Sequence, residues 1–179
     1  MAIVLRKTLI FATSLVACVS SAAVATDRVD SCVALTARAL GFIRDRHLSD
    51  VRIALVRDPN NSQSSEDAAE IRATLGNGLA IANMHLRLID APIDRLQSLN
   101  DVDVFWVTKG LKEEFGRVAA IANREHAVSV SRDLDCAELN LCVLGVQAEP
   151  SVKIILSASA ASNAGVAFEP AFRMMVTER

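Results

Sequence analysis

Apolar residues recur along this chain at two spacings, one helical and one alternating, and the switches between them predict its elements in order. From residue 30 to 46, Val33, Ala37 and Leu40 form one helical stripe, broadened by Leu35, Ala39 and Phe42, with Asp30 or Ser31 as the cap. Residues 51–56 read as a strand that ends at Asp58, Pro59, Asn60 and Asn61. Proline's fixed φ and the two asparagines force a loop there. The helix after it opens at Ser64, Ser65, Glu66 and Asp67, a run resembling a capping box. Ala68, Ile71 and Leu75 follow at helical spacing, and Gly76, Asn77 and Gly78 stop the helix. Strand, loop and helix in this order make the first half of a parallel crossover unit.

The alternation continues. Residues 84–89 read as a second strand, and Pro92 opens a short helix bearing Ile93, Leu96 and Leu99. Residues 101–107 read as a strand covered on both faces, and residues 111–126 as a helix with Leu111, Phe115, Val118 and Ala122 on one stripe. Residues 127–131 alternate as a strand with one buried face would. Residues 142–146 and 152–156 read as a hairpin whose turn is Glu149, Pro150 and Ser151. A short helix over 157–163 stops at Gly165. The run 168–176 that follows is dense enough to be core, and its exposed part, drawn from Phe168, Phe172, Met174 and Met175, is the candidate partner contact. The expected fold class is α/β: a single compact domain with a mainly parallel sheet, helices on both faces and a C-terminal β-hairpin.

The N-terminus carries Arg6 and Lys7 before an uncharged apolar run over 8–19, and Ala23, Val24 and Ala25 offer a cleavage site of the A-x-A type. Residues 1–25 therefore read as a signal peptide and 26–179 as one exported domain, placed in the periplasm. Leu15 to Cys18 also fits a lipobox, which would instead leave the chain lipid-anchored at Cys18. Without the leader, 17 basic residues stand against 21 acidic ones, so no basic surface for nucleic acid is implied. With no tyrosine, one tryptophan and six phenylalanines, a groove that stacks sugars or bases has little material.

Candidate chemistry is sparse. Cys136 and Cys142 flank a short connection that a disulfide would pin to the start of the next strand, two buried thiols being the alternative. Cys32 is left over and reads as a buried thiol. The pair lacks CxxC spacing and a neighbouring histidine. His47, His85 and His126 stand alone in sequence, two of them near expected helix C-termini, so no metal site is expected. No nucleophile elbow, phosphate loop or dinucleotide fingerprint is present, and Asp101 with Asp103, like Glu113 with Glu114, read as edge and first-turn charges. The chain is therefore expected not to be an enzyme and to need no cofactor.

Taken together, the leader, the strand over 52–56 with its acidic loop, the cysteine pair ahead of residues 142–146, and the ending from Val152 through Gly165 to Phe168 resemble the YfiR-like family of small bacterial periplasmic proteins. The family's closing pattern is a strand, a small-residue helix, then glycine and an apolar element. This chain departs from it with Ser157 where asparagine is common and with 168–175 in place of a leucine-rich ending. The resemblance implies a non-enzymatic regulator that represses a membrane-bound diguanylate cyclase through its periplasmic sensor region, in response to redox or envelope stress. The expected partner is that inner-membrane protein, with a homodimer left open. A second class competes: a periplasmic protein that binds a small ligand in the crevice at the strand C-termini and serves a transporter.

Overall fold

Alternation along the first strand divides the interior in two. In β1 (Asp50–Arg57), Val51, Ile53 and Leu55 enter one hydrophobic cluster while Ala54 and Val56 enter another. A strand buried on both faces must sit inside a sheet with helices on each side. The protein, a computed structural model describing residues 21–46, 48–81 and 83–179 with only the backbone of 21–29, has that arrangement. In chain order the other elements are α1 (Ser21–Leu40), α2 (Ser62–Leu75), β2 (Leu79–Ile81), β3 (Met84–Pro92), β4 (Val104–Val107), α3 (Phe115–Arg124), β5 (Val128–Ser131), α4 (Asp135–Glu138), β6 (Leu144–Gln147), β7 (Lys153–Leu156), α5 (Ala158–Asn163), α6 (Pro170–Met175) and β8 (Thr177–Glu178). Residues of α1, α2, α5 and α6 pack into the first cluster, and those of α3 and α4 into the second.

The eight strands form one sheet in the order β2-β3-β1-β4-β5-β6-β7-β8. From β3 to β6 every neighbour is parallel, while β2 on β3 and β7 on β6 are antiparallel. The α/β class, the single domain, the mainly parallel sheet, the helices on both faces and the C-terminal hairpin therefore stand as expected, with Pro150 in the turn between β6 and β7. The edge strand β2 was not expected. Its three residues pair with Met84, His85 and Leu86 of β3.

Several local readings change. The helix expected over 111–126 is α-helical only in α3, after a 3-10 turn at Lys112–Glu114, and the one after Pro92 is a 3-10 helix over Ile93–Ser98. The first helix ends at Leu40, not Arg46, because the next residues serve the C-terminal segment: Arg44 N donates to Ala167 O, Glu169 N donates to Phe42 O, and Ile43 bridges Phe168. Asp30 and Ser31 lie within that helix and do not cap it. The second helix begins two residues before Ser64, capped by Asn61, whose side chain accepts from Ser64 N at 3.0 Å. Asp67 is thereby turned inward, and only 4% of its surface is exposed. In β5 both faces are buried, since the two serines that suggested a wet face are hydrogen-bonded inside: Ser131 Oγ donates to Val107 O and Ser129 Oγ accepts from Val143 N, each at 3.0 Å. The expected leader falls largely outside the described residues, as do Cys18 and His47.

Cys136 and Cys142 form a disulfide with Cα atoms 5.1 Å apart. It ties α4 to the chain just before β6, where Gly145 lets Ala137 and Leu134 approach. Closing so short a loop contributes about 2 kcal/mol in the chain-entropy model. Cys32 is a buried free thiol, as expected.

Candidate ligand-binding crevice

In a parallel sheet whose chain order reverses direction, the loops leaving two adjacent strands turn to opposite faces and a crevice opens between them. Here the reversal is at β1, which has β3 on one side and β4 on the other. The crevice therefore lies beyond the carboxyl ends of β1, β4 and β5.

Its rim is held by side chains that satisfy the ends of these strands. Thr108, just after β4, donates from Oγ1 to Val56 O at 2.8 Å. With that proton spent, the 2.7 Å contact between the two hydroxyls has Ser64 donating to Thr108. Ser64 Oγ also accepts from Asp58 N at 2.9 Å, which fixes the loop after β1 against α2. Asn61 donates from Nδ2 to Gly110 O at 3.0 Å. Gly110 has φ +78, and a Cβ there would lie 2.8 Å from Asn61 Oδ1, so the position demands glycine.

Beneath the rim is an ion network. Arg132, just past β5, donates from one guanidinium nitrogen to Asp67 at 2.6 Å and to Glu70 at 3.1 Å. The side chains of Arg132 and Asp67 are only 8% and 3% exposed. Asp67 also accepts from Lys109 N at 3.0 Å. Burial pushes the Asp67 carboxyl above the usual carboxylate range, with Arg132 and the Lys109 amide acting against that rise. The Cys32 thiol, from α1, is likewise pushed up by burial and held back by Arg132. One buried guanidinium thus joins α2 to the end of β5, with its charge felt by the thiol of α1.

The open part of the crevice has a volume of about 580 Å³, with Gln63, Lys109, Arg132, Asp133 and Gln147 in its wall. A narrower recess of about 140 Å³, sharing Lys109, Arg132 and Gln147, reaches Cys32. On the α4 side Lys112 pairs with Asp135 at 2.6 Å, and the disulfide anchors the helix that carries Asp135.

No family model and no curated protein matches the sequence. Several solved structures share its architecture. One is a conserved domain protein from Vibrio cholerae O1 biovar El Tor, with TM-score 0.59, 13% identity, and coverage of 84% of this chain and 59% of that one. Another is the ABC domain in complex with L-Trp from Streptococcus pneumoniae, with TM-score 0.54, 13% identity, and coverage of 86% and 59%. The likeness is one of fold. The chain spans 59% of the length of each of these two.

Most residues singled out from sequence lie away from the crevice; the exceptions are Cys32, which the recess reaches, and the disulfide, which braces one wall. Phe168 and Phe172 are buried at 4% and 3% exposure, while Met174 and Met175 are exposed at 82% and 65%. His85 is exposed and lies 3.6 Å from Asp50 in β1. Among the described residues no group of histidines, cysteines and carboxylates could hold a metal ion. Asp67, Lys109 and Arg132 were missed. The available signal was Thr108, Lys109 and Gly110 directly after a strand, which is where a switch-point loop would carry its contacts.

Proposed function

We propose that this chain is a non-enzymatic extracytoplasmic binding module that takes a small ligand in the crevice beyond β1, β4 and β5. The observation that carries the reading is the reversal of strand order at β1, which opens a walled, polar crevice over a pre-formed ion network. The shared fold with a domain solved in complex with L-Trp supports a small ligand. The disulfide suits an oxidising compartment, and among the described residues no helix is long and apolar enough to cross a membrane. A ligand that binds only the folded state raises the melting temperature by mass action. At a concentration a hundredfold above its dissociation constant, a ligand of this module shifts a domain of this size by about 5–10 °C. A metabolite screen in which no compound moves the transition would overturn the reading.

A second reading rests on α6. Met174 and Met175 are adjacent, exposed and flexible on a helix whose other side is buried through Phe172, a composition that suits a protein contact. Under it the module represses a membrane-bound diguanylate cyclase, as the YfiR-like resemblance implies. Deleting the gene then raises cellular cyclic di-GMP, and a chain with both methionines changed to glutamate fails to restore repression. Unchanged cyclic di-GMP in the deletion strain, with the cyclase expressed, would remove this reading.

A further inference from the structure

The charges around the crevice are matched with two exceptions of opposite sign. Arg132 is engaged by Asp67 and Glu70, and Lys112 by Asp135. The Lys109 side chain has no hydrogen bond or ion pair among the described residues; its backbone N–H is used by Asp67, and its charge reaches Asp67 and Cys32 only as a weaker neighbour behind Arg132. Asp133 has no ion pair among the described residues either. Its Oδ1 accepts the Asp135 N–H at 3.2 Å, and its charge reaches Lys112 only as the weaker neighbour behind Asp135. One ammonium and one carboxylate, neither with a salt-bridge partner, thus share the wall of a single crevice.

A purely anionic ligand would satisfy Lys109 and face Asp133, and a cationic one would do the reverse. A zwitterion satisfies both at once, in a concave site where charge-assisted hydrogen bonds are the strong ones. The wall also limits the rest of the ligand. Among the described residues no aromatic side chain lines the crevice or its recess, the apolar contribution is confined to Leu134, Val146, Ala148 and the Cys32 thiol, and the amides of Gln63 and Gln147 are present. A large ring would find nothing to stack on.

Resting on the binding reading above, we infer that the occupant is a free amino acid with a small or polar side chain, its carboxylate on Lys109 and its ammonium on Asp133. The test is calorimetric titration of the purified chain with each of the free L-amino acids. The tightest binder is expected to be small or polar, with L-Trp weaker. Its α-amide and its N-acetyl derivative, each lacking one charge, should bind at least about tenfold more weakly, as should the free amino acid to Lys109→Gln and Asp133→Asn. Asp133→Asn should keep the ligand-free melting temperature, since its Oδ1 still accepts from Asp135 N, and Lys109→Gln should lower it only slightly, the Lys109 charge acting on Asp67 at longer range behind Arg132. If the amide or the N-acetyl form binds as tightly as the parent, or if either variant binds like the native chain, the assignment of charges is wrong. If an aromatic amino acid binds tightest, the side-chain class is wrong. If only singly charged metabolites bind, the zwitterion is wrong and the crevice reading survives; if nothing binds, both fall.

Discussion

Replacing Arg132 with alanine lowers stability at neutral pH by about 3–5 kcal/mol, because it leaves the Asp67 carboxylate buried without its cation. Arg132 is the only side chain paired with Asp67 among the described residues, and the remaining contact, from Lys109 N, satisfies one oxygen. The pH dependence follows from the direction of the Asp67 shift. A carboxyl whose value in the fold is raised above that of the unfolded chain favours folding below the unfolded value, and that contribution is lost as pH rises through the folded value. Removing Arg132 removes the charge that holds the rise back, so more is lost at neutral pH. The deficit of the variant relative to the native chain should therefore be largest near pH 7 and shrink below about pH 4, where Asp67 is protonated in both states. Asp90 acts in the opposite sense. The hydrogen bond from Arg57 holds its carboxyl below the usual range, with Arg72 adding to the effect, so its contribution is present at neutral pH and lost on acidification. That contribution is common to both proteins and cancels in the comparison. Urea denaturation at the two pH values measures the difference, and a deficit that is constant or grows on acidification would contradict the role given to Asp67. Changing Asp67 to asparagine in the same chain should recover part of the loss, since a buried neutral amide does not need the guanidinium.

Truncating Phe172 to alanine should lower stability by about 3–5 kcal/mol, the range for deleting a buried aromatic side chain and leaving a cavity. Phe172 stacks between Phe42 and Phe168 with ring centroids 5.4 and 5.1 Å away, so its loss opens the contact between the segment after α1 and the end of the chain. The strand bridge from Ile43 to Phe168 and the bond from Glu169 N to Phe42 O depend on the same packing. Changing Met174 to serine, two residues further on, removes an exposed side chain and should alter stability by no more than about 0.5 kcal/mol. Thermal unfolding of the two variants separates them. Equal losses would mean that the terminal helix packs through a different face.

The contrast between those neighbours shows what kind of information each level carries. The density of apolar residues in 168–176 marked a segment that packs, yet the identity of the packed residues depended on the single turn of α6 and on which side met Phe42. Where periodicity alone decides an element, the sequence was sufficient. The stripe of Leu111, Phe115, Val118 and Ala122 is buried as its spacing requires, Ser157 and Gly165 bound α5, and Pro150 marks the turn between β6 and β7. These depend on neighbours within a few residues, whose geometry is set by helix and strand repeats. The cysteine pair was legible for the same reason, its separation being 6 residues. Local pattern failed where a distant segment claimed the group: the last turn expected of α1 was taken by residues 167–169, and the serines of β5 were claimed by the strands on either side.

The crevice belongs wholly to that second kind. Asp67 meets Arg132 across 65 positions and the Lys109 amide across 42, and neither pairing leaves a trace in local spacing. They meet because β3 docks on one side of β1 and β4 on the other, which brings the ends of α2, β4 and β5 to one place. Strand order is decided by which nonlocal contacts repay the entropy of closing long loops. The pattern of residues therefore determined that this chain would form a layered α/β domain with a disulfide, and the tertiary structure alone decided where its charges would meet.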